Sequence, residues 1–270
     1  MYLRVLSENE CFRGGLGTEF GLSLYMEANG KKLLFDTGAS GLFAQNAQAL
    51  GIDLSAVDAL VLSHGHYDHG GGLKTFLECN SHAPVYLRQN AFGLYCSSRT
   101  DPPSYLGLDR SLASSGRLRF TGLYHVLAPG LTLFSGVEGR RLFSPSNSNL
   151  CEQTAAGVVP DSFTHEQNLV IQENGHTILV AGCCHNGILN TLDRASQLGF
   201  QPQTVISGMH FLRLDLEQHG ALVDDISAEL SRRVKTCYTC HCTGLAGYER
   251  MKQTLGDRVR YIDCGAELTL

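Results

Sequence analysis

The same order of elements occurs twice along the chain, and this repeat constrains the fold more than any other feature. Alternating apolar residues surround Asn29-Gly30 and again Asn174-Gly175, and such a dipeptide is the strongest short-range signal for a two-residue β-hairpin. Each hairpin is followed by a helical apolar pattern and then by a short apolar strand. A duplicated unit of this kind predicts an α/β (α+β) fold with two sheets packed face to face and helices outside, a four-layer αββα sandwich.

The pattern also places individual elements. In the first half it predicts strands at 20–27 and 31–36, a helix that ends at Gly51, and a buried strand at 59–63 that leads directly into His64. Near the C-terminus, the predicted elements are an amphipathic helix near 221–234, a short CYTCHCTG loop, a helix that ends at Leu255 and a final strand in ELTL.

Residues 90–150 are rich in serine, glycine and proline. This composition predicts an inserted loop region. Two interpretations are open, a solvated connector or a substrate lid and pocket wall, because long loops in compact domains are often functional. The whole chain of 270 residues is predicted to be one domain, a length that α/β proteins often reach with a single core.

Charge and composition exclude several classes of partner. The net charge is −5, so no general basic field is present for nucleic acid or an anionic membrane. No apolar run approaches the roughly 18 residues that span a bilayer, and the N-terminal segment does not resemble a signal peptide. Of the ten cysteines, two are adjacent at 183–184 and three lie close to one histidine at 237–242, which suits reduced thiols. We expect a cytoplasmic protein.

The segment from His64 to Gly72 carries the chemistry. His64, His66, Asp68 and His69 bring three imidazoles and a carboxylate into six positions, and such donors are typical of hydrolytic and redox metal sites. At a strand end, His64 and His66 point to one side by the two-residue period, whereas Asp68 and His69 can face a second ion after the turn. The alternative is a histidine-rich surface loop.

H-x-H-x-D-H after a buried strand resembles the signature of the metallo-β-lactamase superfamily. LFDTG, HGHYDHGGGL, GCCHNGILNTL, GMHFL and HCTG also occur in this order, similar to the branch related to dihydropterin ribofuranosyl-aminobenzene phosphate synthase. The resemblance implies the αββα metallo-β-lactamase fold and a dinuclear site. It assigns His64, His66 and His185 to the first metal, and Asp68, His69 and His241 to the second.

Other positions near these motifs leave alternatives open. The superfamily often has a bridging aspartate where this chain has Cys183, which is either a soft metal ligand or a buried structural thiol. Asp36 either orients a ligand imidazole or forms a turn. His210 ends a strand that corresponds, by the duplication, to the strand before His64, so with Asp68 it is a candidate catalytic residue. It either contacts the substrate or a metal ligand, is a core histidine, or is itself a metal ligand. Cys237-x-x-Cys240-His241 also matches a haem attachment pattern, and the neighbouring cysteines could hold a separate structural zinc.

The predicted function is a metal-dependent hydrolase. Two divalent ions, with zinc as the first choice and iron or manganese as alternatives, would hold a bridging hydroxide for attack on a small phosphate-bearing or ester substrate. The first rival is a di-iron redox enzyme, since the same ligands hold iron. The second is a non-catalytic sensor of metal or ligand on the same fold. The oligomeric state is open.

Overall fold

The computed structural model of the protein describes residues 1–270. The strands, in chain order, are β1 (Tyr2–Ser7), β2 (Ser23–Ala28), β3 (Lys31–Phe35), β4 (Ala59–Val61), β5 (Val85–Arg88), β6 (Tyr95–Ser97), β7 (Ser104–Tyr105), β8 (Leu118–Thr121), β9 (Tyr124–Ala128), β10 (Leu131–Phe134), β11 (Leu150–Thr154), β12 (Gly157–Pro160), β13 (Asn168–Glu173), β14 (His176–Val180), β15 (Thr204–Ser207), β16 (Thr236–Thr239), β17 (Val259–Tyr261) and β18 (Glu267–Thr269). The α-helices are α1 (Leu42–Ala49), α2 (Tyr67–Gly70), α3 (Leu73–Cys79), α4 (Ile188–Gln197), α5 (Leu216–Arg233) and α6 (Gly244–Leu255).

The chain divides into two compact units. The first contains residues 1–122, 149–167 and 263–270, and the second contains residues 123–148 and 168–262. Each unit therefore contains one copy of the predicted hairpin, helix and strand. No helix in the structure combines the length and the hydrophobicity that crossing a membrane would need.

A seven-stranded sheet in the order β18-β1-β2-β3-β4-β5-β8 forms the centre of the first unit. The predicted hairpin is confirmed, since β2 and β3 pair antiparallel and the φ angles of Asn29 and Gly30 are 50° and 71°, as a type I′ turn requires. Leu34, Leu60 and Phe76 are fully buried in the core of this unit. The helices of the first unit are therefore held by apolar burial against the sheet.

The parallel part of this sheet positions the H-x-H-x-D-H segment. Strands β3 and β4 are parallel neighbours, with Phe35 opposite Val61. Parallel strands end at the same edge of a sheet, so the residues that follow β3 and β4 lie together. Asp36 comes directly after β3, and His64 follows β4 by three residues.

Residues 90–150 contain more regular structure than their composition predicted. They include β6, β7, β8, β9 and β10. In the first unit, β6 and β7 join β11 and β12 in a four-stranded sheet of order β12-β11-β6-β7. The strands are only two to five residues long, which is too short for the apolar alternation that identifies a strand in sequence.

The second unit has its own seven-stranded sheet, in the order β17-β16-β15-β14-β13-β10-β9. The second hairpin is confirmed, with φ angles of 51° at Asn174 and 76° at Gly175. Val170, Leu179 and Val205 are fully buried in the core of this unit. Helix α5 begins earlier than predicted because the side chain of Asp215 accepts hydrogen bonds from the first helical N–H groups. The predicted CYTCHCTG loop is wrong in its first half, which forms β16, a strand parallel to β15 and β17.

Candidate metal centre

Three predicted ligands are gathered at the sheet edge of the first unit. His64, His66 and Asp68 are all buried, and each has one ligand atom within 4.8 Å of those of the others. His69 is fully buried beside them, with its ring centroid 4.2 Å from that of His64 and its Nε2 3.9 Å from Asp68 Oδ2. Imidazole nitrogen and carboxylate oxygen are ligands that suit a divalent transition metal. The donor set therefore fits a metal ion in its chemistry, its spacing and its burial.

Asp36 orders two of these imidazoles. Its Oδ2 lies 2.6 Å from Nδ1 of His69, and it also accepts a hydrogen bond of 2.7 Å from Oγ of Ser63. Since Ser63 Oγ donates to Asp36, the contact of 2.8 Å between that oxygen and Nδ1 of His64 makes the imidazole the donor. Both histidines then carry their proton on Nδ1, which leaves Nε2 for a metal. The structure thus favours the orienting role of Asp36.

A second group of buried polar residues, absent from the sequence prediction, adjoins His66. Asp161 Oδ2 lies 3.0 Å from His165 Nε2 and 3.7 Å from His66 Nε2. Tyr95 covers this group, with its ring centroid 3.9 Å from that of His165. His165 has no recognisable motif around it in the sequence, and only the fold brings it to His66.

Burial and pairing act in opposite directions on this group. Burial raises the pKa of Asp161. The combined interactions of its carboxylate with His165 and His66 outweigh this effect and hold the pKa well below the usual range. Burial lowers the pKa of His165, and the neighbouring carboxylate only partly opposes this shift. Asp161 is therefore a carboxylate and His165 a neutral imidazole in this structure at neutral pH.

In the second unit, Cys183 lies near two further candidate ligands. Its Sγ is within 4.8 Å of a ring nitrogen of His185 and also within 4.8 Å of one of His241. All three side chains are buried. The thiol is therefore close enough to both imidazoles to share a metal with either, which favours its interpretation as a soft ligand.

The backbone is unusual at these positions. His210, His241 and Cys184 have positive φ angles of 53°, 49° and 55°. Residues other than glycine rarely adopt this conformation, and such strain is concentrated at functional sites. In the first unit, Asp36 has the same property, with a φ of 61°.

The candidate catalytic residue His210 lies against His185, with ring centroids 4.6 Å apart. Its Nδ1 is 2.9 Å from Oγ of Ser146, and that hydroxyl also donates a hydrogen bond of 2.6 Å to the carbonyl oxygen of His210. Because Ser146 has a single hydroxyl proton, Nδ1–H of His210 donates to it. Ser146, from the segment predicted as an insertion, therefore fixes the orientation of the ring.

The surroundings of Cys237 disfavour a separate structural zinc. The residue lies on β16 in the hydrophobic core of the second unit. Burial raises the pKa of its thiol to about 12. A buried cysteine in apolar surroundings packs as a small hydrophobic side chain, which suits a structural role for Cys237.

Comparisons with known proteins identify the family of the chain. Residues 16–91 match the family model of the metallo-beta-lactamase superfamily. A 7,8-dihydropterin-6-methyl-4-(beta-D-ribofuranosyl)-aminobenzene-5'-phosphate synthase from Methanocaldococcus jannaschii is 30% identical over 247 residues, which cover 84% of this chain and 82% of the relative. The chain belongs to the metallo-β-lactamase superfamily.

Solved structures show the same fold. A metal-dependent hydrolase of the beta-lactamase superfamily has a TM-score of 0.83 and 27% sequence identity, with 100% of this chain and 99% of the other covered. Zn(2+)-bound PqqB from Methylobacterium extorquens has a TM-score of 0.63 at 14% identity, with both chains covered completely. The chain therefore has the metallo-β-lactamase fold, as its sequence predicted.

Proposed function

We propose that the protein is a hydrolase with two divalent metal ions. The observation that carries this proposal is the buried set of His64, His66 and Asp68, whose ligand atoms lie within 4.8 Å of one another in a chain of this superfamily. Divalent ions held there would lower the pKa of a water molecule and stabilise negative charge on a substrate oxygen. Zinc is the proposed metal, since the set combines imidazole nitrogen with a carboxylate.

The full proposed ligand set contains residues of both halves of the repeat. These ligands are His64, His66 and His185 for one ion, and Asp68, His69 and His241 for the other. This assignment is supported by the positions of these residues in the superfamily motifs and by their burial. Cys183 is a further proposed ligand, because its sulfur lies near ring nitrogens of His185 and His241.

Two residues have proposed roles in the reaction itself. Asp68 would hold a metal ion and would accept a proton or hydrogen bond from the nucleophilic water, which is a common role for a carboxylate at such a site. His210 contacts the substrate, and its half-buried ring is fixed on one edge by Ser146. The relative from Methanocaldococcus jannaschii is named as a synthase of a 5'-phosphate compound. This name supports a small phosphate-bearing substrate ahead of a carboxylic ester.

The two rival functions make different predictions. A di-iron redox enzyme would need a source of electrons and would lose activity on replacement of iron by zinc. A non-catalytic sensor would bind metal without turnover. The imidazoles of His64 and His69 each have a partner at Nδ1, which supports metal binding under all three functions, so turnover decides between them.

The test is a screen of the zinc-loaded protein against phosphodiesters, phosphomonoesters, lactones and thioesters. The parent protein should hydrolyse at least one phosphate class, and Asp68→Asn should lower kcat by more than about 100-fold, since even the outer partners of metal ligands are worth about 10–100-fold. The control is Asp109→Asn. Asp109 is exposed and caps the short 3₁₀ helix Arg110–Ser114, and asparagine is as good an N-cap residue as aspartate. Parental turnover by Asp68→Asn would exclude the proposed mechanism, and no turnover by fully loaded parent protein would favour the sensor.

A further inference from the structure

We propose that Asp161 and His165 form a positioning pair that holds the ring of His66 for metal binding. This inference rests on the proposed function only in taking His66 as a metal ligand. Neither residue is part of the H-x-H-x-D-H motif, and both are buried within the first unit. Oδ2 of Asp161 lies 3.0 Å from Nε2 of His165 and 3.7 Å from Nε2 of His66, so one carboxylate oxygen faces both imidazoles.

The protonation of His165 follows from its partners. The backbone N–H of Gly65 donates to His165 Nδ1 over 3.0 Å, so that nitrogen must be the acceptor. The proton of the neutral imidazole is therefore on Nε2, from which it donates to Asp161 Oδ2. His165 is thus held from both sides, and it fixes the carboxylate that faces His66.

The carboxylate in turn selects the nitrogen of His66 that is left for a metal. Oδ2 of Asp161 faces Nε2 of His66 at 3.7 Å, which is longer than a hydrogen bond but close enough for attraction between the carboxylate charge and an N–H dipole. This attraction favours the proton on Nε2 and leaves the lone pair on Nδ1. A carboxylate behind a ligand imidazole raises its basicity and fixes its orientation.

The same three residues could instead hold a metal of their own, since the ligand atoms of His66, Asp161 and His165 lie within 4.8 Å of one another. The hydrogen bonds of His165 argue against this alternative. Its Nδ1 accepts from the backbone and its Nε2 carries the proton, so neither nitrogen offers a lone pair to a metal. We therefore assign the group to positioning.

The packing around Gly65 shows how closely the pair is fitted to the ligand segment. A Cβ at Gly65 would collide with the carbonyl oxygen of Ala91 and lie 2.8 Å from the ring of Tyr95. Because Gly65 has no side chain, its backbone can pack against Tyr95 while its N–H donates to His165. Asp161 directly follows β12, and its N–H donates to Leu150 O, so the small sheet fixes its position.

The first experiment measures zinc affinity by competition with a chromophoric chelator. Asp161→Asn should weaken zinc binding about 10–100-fold, the usual effect of removing an outer partner of a metal ligand. His82→Gln, an exposed histidine in the same unit, is the control and should bind zinc as the parent does. Thermal unfolding of each variant, measured without metal, separates loss of affinity from loss of fold.

A pair of variants at His165 separates positioning from simple packing. Gln places an amide N–H near the position of Nε2 and keeps the donor to Asp161, whereas Asn places an oxygen near Nδ1 and keeps only the acceptor for Gly65. We expect His165→Gln to retain more zinc affinity than His165→Asn. Equal losses in the two variants, in proportion to their loss of thermal stability, would mean that His165 acts only by packing and would overturn its place in the pair.

Nitrogen-15 NMR of the parent protein tests the pair without any variant. We expect His66 to be protonated on Nε2, and zinc to shift the resonance of its Nδ1. Protonation of His66 on Nδ1 would contradict the proposal even if Asp161→Asn failed to fold. Loss of one whole zinc equivalent in Asp161→Asn, without change at the remaining site, would identify Asp161 as a ligand and also overturn it.

These measurements are independent of hydrolysis. If the zinc-loaded parent hydrolysed no substrate but Asp161→Asn bound zinc more weakly, the positioning pair would stand and the proposed function would fall. If the parent were active and Asp161→Asn kept parental affinity, the function would stand and the pair would fall.

Discussion

Two buried carboxylates lie beside three proposed ligand imidazoles in the first unit. Asp36 contacts Nδ1 of His69 directly and acts on His64 through Ser63, whereas Asp161 faces Nε2 of His66. Each imidazole thus has a partner on the edge away from the proposed metal. Under the proposed function both carboxylates should raise metal affinity, because a ligand whose tautomer is fixed in advance binds without reorganisation.

Cys183 provides a test at the scale of one residue. Its sulfur lies near ring nitrogens of both His185 and His241, so the cobalt-substituted protein should show a thiolate-to-cobalt charge-transfer band. Cys183→Ser should abolish that band and weaken cobalt binding. The matched control is Cys184→Ser, since the Cys184 thiol instead lies in the hydrophobic core near Thr191. A band that survives in Cys183→Ser, or is missing from the parent, would show that the thiol is structural.

Sequence reasoning identified the residues that stand in motifs and missed those that do not. The spacing of His64, His66 and Asp68 predicts a ligand cluster because a strand end fixes their directions. Asp161 and His165 are about 100 residues away along the chain, and no local pattern connects them with His66. Their only sequence signal is that two chelating side chains lie four residues apart just before a strand, which is too common a feature to assign.

At the scale of elements, the two Asn-Gly hairpins were predictable because the turn residues need positive φ at both positions. The strands of residues 90–150 were not, because their apolar alternation is too short and their partners are distant. β6 pairs with β11, with Cys96 opposite Cys151. A pairing over 55 residues is a property of the tertiary fold, which propensity does not encode.

Gly30 tests the hairpin that precedes the site. Its φ is 71° and an added Cβ would meet no atom within 4 Å, so Gly30→Ala changes only the backbone preference. We expect a loss of about 1–2 kcal/mol in the free energy of unfolding, seen as a fall in Tm of roughly 2–4 °C for each kcal/mol. Gly116→Ala is the control, since it has equal space and no positive φ. Equal stability of the two variants would contradict the assigned turn.

At the scale of the whole molecule, each unit has its own sheet and its own apolar core, and each contains one copy of the repeat. The prediction of a single domain stays a prediction, and one cooperative unfolding transition in the metal-loaded protein would support it.

The central claim is tested most directly by titration of the metal-free chain with zinc, with bound metal measured by elemental analysis after removal of the excess. We predict saturation at about two zinc ions per chain, because the six proposed histidine and aspartate ligands divide three and three between two ions, with Cys183 as a further ligand. His241→Ala should saturate closer to one. A parent protein that binds only trace metal under zinc-replete conditions would contradict the account.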